Sequence, residues 1–489
     1  MNTGDPWPSS SEAKDWVLRM QTKLHRWATD DPVRRFEDLF NLVIHPCFLT
    51  VAWERVRGNR GARSAGVDGV SPRSISASAE AMLTSVRADL TATRFRPLPV
   101  RERLIPKPGS TTRRRLGIPT TRDRVVQAAL KLVLEPIFEA DFKPCSYGFR
   151  PRRRAQDAIA EIHYLASRSY EWVLEADIEA CFDTIEHTAL MDRVRGRVTD
   201  KRVLSLVKAF LKAGVLREDG ASRETITGTP QGGILSPLLA NIALSPLDEH
   251  FSERWAVHGG DWRRRAHRLK GGATYRLVRY ADDFVVLVAG TRQHTEALRA
   301  EVAQVLEPVG LRLADSKTRI CHIDEGFDFL GFRIQRRRKR GTDEHAIYTY
   351  PSKRAIAAVK AKVRALTNRA RHRTLNDLLR RLNPLLRGWC AYFQHGVSKR
   401  TFGYIDHFVF WRVVGWIRKR HVGLSWRALR RRYLPGWEIQ ADGIALVLPR
   451  TRPVSRYRYR GSRIPTPWAS TNSGSAAGPR LGLVESRMQ

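Results

Sequence analysis

The feature that most constrains this chain lies near its middle, where two β-forming runs meet at a pair of carboxylates. Residues 275–280 (YRLVRY) and 284–289 (FVVLVA) are strand-length, and Ala281-Asp282-Asp283 separates them. Two such runs across so short a break read as a β-hairpin. Asp282 and Asp283 then sit at its tip between apolar strands, which is costly unless water or a cation balances them. An Asp-Asp turn by itself is most often simply solvated. A second acidic position changes the reading. In residues 172–178 (WVLEADI) a strand pattern runs up to Asp177. If that strand pairs with the hairpin, Asp177 meets Asp282 and Asp283. Three carboxylates on adjacent strands can hold two Mg²⁺ ions about 3.5–4 Å apart. Such a pair activates a 3′-hydroxyl, steadies a pentavalent phosphorus and neutralises a leaving pyrophosphate. Taken alone, Asp177 is equally an N-cap for a helix after the strand.

Charge points the same way. Lys and Arg number 86 against 49 Asp and Glu, a net charge of +37. A surface this basic calls for a polyanion, most commonly nucleic acid, and is foreign to an ordinary metabolic enzyme. A GC-rich genome would favour Arg over Lys, but that does not explain the excess. No run approaches the roughly 20 apolar residues of a membrane-spanning helix. Residues 1–14 lack the apolar stretch of a signal peptide. The five cysteines, Cys47, Cys145, Cys181, Cys321 and Cys390, are far apart and form no CxxC. They suit a reducing compartment, and neither a zinc ribbon nor a disulfide framework.

At roughly 150 residues per domain, 489 residues make about three domains. Helices are expected at 16–28, with Trp16, Met20 and Leu24 on one face, at 33–56 and at 122–138. Residues 58–69 form a glycine- and charge-rich loop, and 104–119 read as two short strands around a basic turn. The polar stretch 254–272 reads as a surface loop or insertion, and RRRKR at 336–340 as a linker. Beyond it, Ser352 caps a helix whose apolar stripe is Ile356, Val359, Val363 and Leu366. Lys353, Lys360 and Arg364 lie on another face of that helix. Helical patterns continue at 375–393 and 402–421. From Pro453 onward the chain has little to bury and is expected to be disordered. RYRYR at 456–460 is either a small DNA-binding element or part of that basic tail.

In residues 229–241, TPQGGILSPLLAN, Ser236 and Pro237 start a helix after glycines that permit close backbone approach. With this block the chain resembles the group II intron-encoded reverse transcriptase/maturases, from about Trp16 to about His421. YADD at 280–283 matches that family's catalytic box and Asp177 its first catalytic Asp. GLRLADSKTRI (310–320) and FDFLGF (327–332) match its last two polymerase blocks. AGVDGVS (65–71) resembles its N-terminal extension, and LNPLLRGWCAYF (382–393) its maturase thumb.

The resemblance implies an α+β fold: a right-hand polymerase, fingers and palm with an antiparallel palm sheet, then an α-helical thumb/maturase domain. The implied division is 1–75 (N-terminal helical extension), 76–335 (fingers and palm), 336–425 (thumb) and 426–489 (basic C-terminal DNA-binding region and tail). It implies a two-Mg²⁺ site on Asp177, the Ile178 backbone, Asp282 and Asp283. Lys107 and Arg114 would contact the nucleotide triphosphate, although Arg115 stands where the family usually has Pro. Phe182 would be the gate against a 2′-hydroxyl, Gln231 would neighbour the template–nucleotide pair, and Lys317 would protonate pyrophosphate. Implied partners are group II intron RNA, an RNA template with a DNA primer, dNTPs and target DNA. Lys353, Lys360 and Arg364 are the expected RNA-binding face of the thumb. Many members end in a zinc-dependent nuclease; no cysteine follows Cys390, so that activity is not expected. The function read here is RNA-directed DNA polymerase and maturase. The alternatives are a splicing-only maturase and a related reverse transcriptase with a host or defence role.

Overall fold

The computed structural model describes residues 7–106, 113–216, 222–223, 227–229, 232–368 and 372–469. Lys107 and Gln231 lie outside them. The first part is helical: α1 (Ser10–Asp30), α2 (Phe40–Val43), α3 (Pro46–Gly58) and α4 (Ala79–Thr91). A capping box between Ser9 and Glu12 opens α1. The single helix expected at 33–56 is in fact α2 and α3. Pro46 has no N–H to give a helix interior, so it stands at the start of α3 with His45 as cap.

Next come β1 (Val100–Pro106) and β2 (Arg113–Ile118), paired antiparallel as the two strands expected around the basic turn. The turn itself is outside the described residues. α5 (Thr121–Asp141) follows, and Val17, Leu24, Phe48, Ala52, Val125 and Ala129 bind α1, α3 and α5 into one core. Arg124 of α5 donates to the carbonyls of Gly61 and Ser64 at 3.2 and 2.7 Å, which pins the 58–69 loop to this bundle.

The middle of the chain runs α6 (Ala155–Ala166), β3 (Trp172–Ala176), α7 (Cys181–Thr184), α8 (His187–Arg195), α9 (Lys201–Leu211), β4 (Val215–Leu216) and β5 (Ser222–Arg223). After these come α10 (Ser236–Val257), α11 (Asp261–Leu269), β6 (Thr274–Tyr280), β7 (Asp283–Ala289), α12 (Arg292–Leu306) and β8 (Arg319–His322). β4 and β5 extend the first sheet in the order β2-β1-β4-β5. The central sheet is antiparallel, in the order β6-β7-β3-β8. Phe284, Val286 and Val288 of β7 join the core of α10 and α12, with Leu239, Leu298 and Val302. Val285, Leu287 and Ala289 face the other way, toward Ile159 and Ile162 of α6. A strand covered on both faces is apolar at every position, which is the pattern of 284–289. Each fully buried Val, Leu or Phe contributes about 1.5–3 kcal/mol.

Three expectations are corrected in the second half. The 254–272 stretch is not a loop: α10 continues to Val257 and α11 follows. α11 has no buried residue, so no apolar stripe announced it, and Arg264 holds it by lying 3.7 Å over Trp255. RRRKR is not a linker. β9 (Phe327–Phe329), β10 (Phe332–Arg338) and β11 (His345–Pro351) form a sheet in which Arg338 opposes His345. Arg336 tolerates that strand because Asp324 and Glu171 both bond it. The segment from Pro453 to residue 469 is irregular but packed rather than free. Trp468 is buried and donates to Gln21 Oε1 at 3.2 Å, and Arg460 grips Asp157. These anchors are scattered, so no periodicity revealed them.

The last helices are α13 (Lys353–Leu366), α14 (Leu375–Phe393), α15 (Lys399–Arg420) and α16 (Trp426–Tyr433), with a small ladder of β12 (Gln440–Ala441) and β13 (Ile444–Ala445). Ser352 caps α13 as expected. Val359 and Val363 are buried against Leu378, Leu382, Ile405 and Val409, with Ile356 and Leu366 packed at the margin. Among the described residues no helix is long and apolar enough to cross a membrane.

Candidate active site

β6 and β7 turn over through Ala281 and Asp282, with Tyr280 opposite Asp283. Ala281 has φ 60°, the left-handed region tight hairpin turns demand and glycine usually supplies. Such strain costs about 1–3 kcal/mol and persists only where surroundings over-determine it. Those surroundings lie beneath the turn. The Arg279 and Asp248 side chains are both 0% exposed. Arg279 Nη1 donates to the Ala281 carbonyl at 2.9 Å and to Asn241 Oδ1 at 3.0 Å. Its Nε and Nη2 reach the two Asp248 oxygens at 2.7 and 2.5 Å, and Nη2 also reaches Ser146 Oγ at 2.8 Å. Asn241 donates to the Gly148 carbonyl at 2.9 Å. A Cβ on Gly148 would overlap the backbone of Tyr280 and Ala281. Sequence reasoning singled out Asn241 only as the end of a block and missed Ser146, Gly148, Asp248 and Arg279. One signal was available: an Arg inside a strand of a buried sheet needs a carboxylate partner.

β3 lies beside β7 with Ala176 opposite Phe284, which carries Asp177 to the end of the strand that bears Asp283. The 310–320 block clamps this strand end. Ala314 N–H donates to the Asp177 carbonyl at 2.8 Å, and Glu179 N–H donates to the Arg312 carbonyl at 2.9 Å. This bridge sets Ile178 against Leu313 without using the Ile178 carbonyl. Lys317, from the same block, pairs with Asp177 Oδ2, and that bond raises the lysine's pKa.

The carboxylates repel one another. Burial, and then the Asp177 charge, raise the Asp282 pKa; Arg114 and Lys317 oppose the rise. Asp283 is pushed up to about 6 by desolvation in the crowded site and then by Asp282 and Asp177, although its side chain keeps an open edge. Burial first, and then Asp282, raise the neighbouring Cys181 thiol to about 12. Among the described residues no group of three or more His, Cys, Asp or Glu side chains stands ready to hold a metal ion. Asp177 is turned toward Lys317. The donors are nevertheless all carboxylate oxygens, and their mutual repulsion is what a hard divalent cation relieves. The residues fit such an ion.

The structure therefore brings Asp177, Asp282, Asp283 and Lys317 together, with Arg114 in electrostatic reach. Arg115 is directed at Glu102, 3.8 Å away. Phe182 is half-buried in α7 and stands edge-on to Phe149 at 6.3 Å. The loop before α10 seats on it: Thr229 N–H donates to the Phe182 carbonyl at 2.5 Å, and Gly228, at φ 83°, leaves room for that approach. Lys353, Lys360 and Arg364 are elsewhere, on α13. Lys353 is exposed, whereas Lys360 lies 4.8 Å over both Tyr404 and Phe408 of α15, and Arg364 lies 5.4 Å over Phe408.

Known proteins share both halves of this arrangement. Residues 105–334 match the family model for reverse transcriptase (RNA-dependent DNA polymerase), and residues 356–434 match that for the group II intron maturase-specific domain. Protein YkfC of Escherichia coli (strain K12) is 37% identical over 358 residues, 69% of this chain and 93% of YkfC. Group II intron-encoded protein LtrA of Lactococcus lactis subsp. cremoris is 30% identical over 353 residues, 62% of this chain and 57% of LtrA. The chain thus spans little more than half the length of LtrA. Nuclear intron maturase 1, mitochondrial, of Arabidopsis thaliana is 27% identical over 292 residues, 45% of this chain and 41% of that protein. The first matched stretch contains the whole central sheet with its three carboxylates and the second contains α14 and α15 whole, so the chain belongs to the reverse transcriptase family, in the branch that carries a group II intron maturase domain.

Proposed function

We propose that this chain copies RNA into DNA and also binds the RNA of the group II intron that encodes it, promoting splicing and mobility. The observation that carries the reading is the crowding of Asp177, Asp282 and Asp283 at one edge of the central sheet, where burial and then the Asp177 charge raise the cost of ionising both Asp282 and Asp283. Asp177, the Ile178 carbonyl, Asp282 and Asp283 would hold Mg²⁺. The bound ions would activate the primer 3′-hydroxyl and neutralise charge on the nucleotide phosphates. The chain's own side chains do the rest. Arg114 lowers the cost of negative charge at Asp282 and, with Lys107, would contact the nucleotide triphosphate. Lys317, held protonated by Asp177, offers a proton to departing pyrophosphate. Phe182 would lie under the sugar and Gln231 beside the template base. The substrates are dNTPs on an RNA template with a DNA primer, and target DNA serves mobility. The proposed division is 1–75, 76–335, 336–425 and 426–489, although residues 335 and 336 are neighbours within β10. The proposed compartment is the bacterial cytoplasm, supported by five free cysteines.

The test is primer extension on an RNA template by Asp282→Ala plus Asp283→Ala. Extension should fall at least about 10³-fold, the several kcal/mol that such a centre supplies. Intron RNA affinity should hold, and splicing should survive, since the ribozyme carries its own metals. Extension at the parental rate would overturn the polymerase assignment of these carboxylates.

A further inference from the structure

Residues 144–151, PCSYGFRP, lie between α5 and α6 and run beside the carboxylate hairpin. Tyr147 N–H donates to the Arg279 carbonyl at 2.8 Å, and Arg279 N–H donates to the Cys145 carbonyl at 2.9 Å, which ties the segment along β6. Ser146, Tyr147, Gly148 and Arg150 are buried, whereas Phe149 among them is 47% exposed. Both neighbours of Phe149 are fixed. Gly148 abuts the Tyr280–Ala281 backbone, and its carbonyl accepts from Asn241 at 2.9 Å. Arg150 forks onto the Glu139 carboxylate at 2.9 and 2.7 Å and donates to the Lys143 and Ser146 carbonyls at 2.7 and 2.9 Å.

Held between these anchors, Phe149 takes φ 61°. Glycine adopts that conformation freely, while an aromatic residue does so only under constraint. Nearly half of Phe149 is open to solvent, so its own burial does not explain why a ring stands at a strained position. The ring does meet Phe182, with centroids 6.3 Å apart and planes at 75°.

The Phe182 backbone is fixed by its bond from Thr229, but its half-buried ring can still turn about two side-chain torsions. A ring that excludes a 2′-hydroxyl by bulk works only if it does not yield when the hydroxyl presses on it. An edge-on aromatic neighbour at this separation opposes that movement. We propose that Phe149 is a positioning residue for sugar selection: its ring braces Phe182 so that the gate does not give way to a 2′-hydroxyl. The proposal rests on the polymerase reading and on Phe182 as its gate. Gly148 seats the carboxylate turn and Phe149 seats the gate, so two adjacent residues hold the carboxylates and the gate in register.

The experiment is single-nucleotide addition to a DNA primer on an RNA template, with dATP and with ATP, read as the ratio of kcat/KM for the two sugars. Phe149→Ala should shift that ratio toward ATP by about 3- to 10-fold, the worth of one aromatic pair expressed as a rate ratio. Phe149→Tyr keeps the ring and should keep the parental ratio. Phe149→Gly loses the ring and the backbone strain together, so it should melt above Phe149→Ala and yet select as poorly. In a Phe182→Val background, where the gate is already open, Phe149→Ala should change the ratio less than about 1.5-fold, because the brace has nothing left to hold.

A parental ratio in Phe149→Ala or in Phe149→Gly would overturn the proposal. So would an equal fall in dATP and ATP use, which marks Phe149 as structural or as a template contact. Full additivity with Phe182→Val would show that Phe149 does not act through the gate, and a parental ratio in Phe182→Val would remove gate and brace together. Failure of the polymerase reading looks different, because the parent itself would then extend no primer. A parent that extends and selects deoxynucleotides, beside a Phe149→Ala variant that selects equally well, sinks the brace alone.

Discussion

Asp283 carries most of the electrostatic tension of the active site. A free Asp titrates near 3.8, and desolvation with two neighbouring carboxylates pushes this one up to about 6. Between those values the folded protein holds a proton that the unfolded chain has released. The stability due to the neutral form is therefore present at low pH and is lost as pH rises through about 6. At neutral pH the ionised Asp283 destabilises the ion-free fold, by on the order of 1 kcal/mol once solvent at its open edge is counted. Asp283→Asn should accordingly raise the melting temperature at pH 7 in chelator, by roughly 2 °C or less, and the gain should vanish toward pH 4. Millimolar Mg²⁺ should raise the parent's melting temperature and leave Asp283→Asn nearly unmoved. The Mg²⁺ concentration giving half the shift should climb as pH falls through 6, because the cation competes with protons for this carboxylate. Dye-monitored melting across pH and Mg²⁺ reads all three. A Mg²⁺ shift equal in parent and variant would remove Asp283 from the ion site.

The hairpin of β6 and β7 presents these carboxylates only because its strained turn is held from below. Gly148 touches the turn backbone directly, and Arg279 bonds the Ala281 carbonyl while Asp248 neutralises it. Gly148→Ala must lift or tilt the turn. Displacement by about 1 Å at a reacting centre costs about 10²-fold in rate. Primer extension should therefore fall about 10²-fold in kcat while RNA affinity stays near the parent's; unchanged extension would show that the turn is not seated on Gly148. Asp248→Asn is expected to act differently. It strands a fully buried guanidinium and should destabilise the whole fold by about 3–5 kcal/mol, seen as lower denaturant midpoints. The hairpin, β3 and the α13 stripe were legible in the sequence because period and composition are local signals. The turn's support was not, because Asp248, Asn241, Ser146 and Gly148 join Arg279 across 31 to 133 residues of chain. The same holds for Arg336, which reads as linker charge until Asp324 and Glu171 are seen beside it. The packed segment ending at Trp468 was illegible for that reason too, since a single Trp with one distant hydrogen bond leaves no pattern.

Among the described residues, buried charged side chains include more Asp and Glu than Arg, even where pairs such as Arg150–Glu139 and Arg279–Asp248 cancel. The chain's positive excess of +37 is therefore not hidden in the core but meets ligand or solvent. The α13 face is where the sequence placed an RNA clamp, and the structure refines how to test it. Lys353 is open, but Lys360 and Arg364 rest on Tyr404 and Phe408, so truncation to Ala would also loosen α13 against α15. Cation–π contacts at such exposed sites contribute about 0.5–1 kcal/mol each. Gln keeps length and hydrogen bonding while removing charge, so Lys353→Gln, Lys360→Gln and Arg364→Gln together make the cleaner variant. If all three contact phosphate, the log–log salt slope of intron binding should flatten by about 2–3, at roughly 0.7–0.9 per contact. Affinity should fall most at low salt, where counterion release is strongest. Lys360 and Arg364 are already held against the rings of α15, so they give up less side-chain entropy on binding than free surface cations would. Their share of the loss should therefore exceed that of Lys353, and single variants measure it. Polymerisation on a saturating short primer–template should persist in the triple variant, because α13 contributes nothing to the carboxylate site. An intron affinity and salt slope equal to the parent's would make this face merely solvated and move the clamp elsewhere on the basic surface.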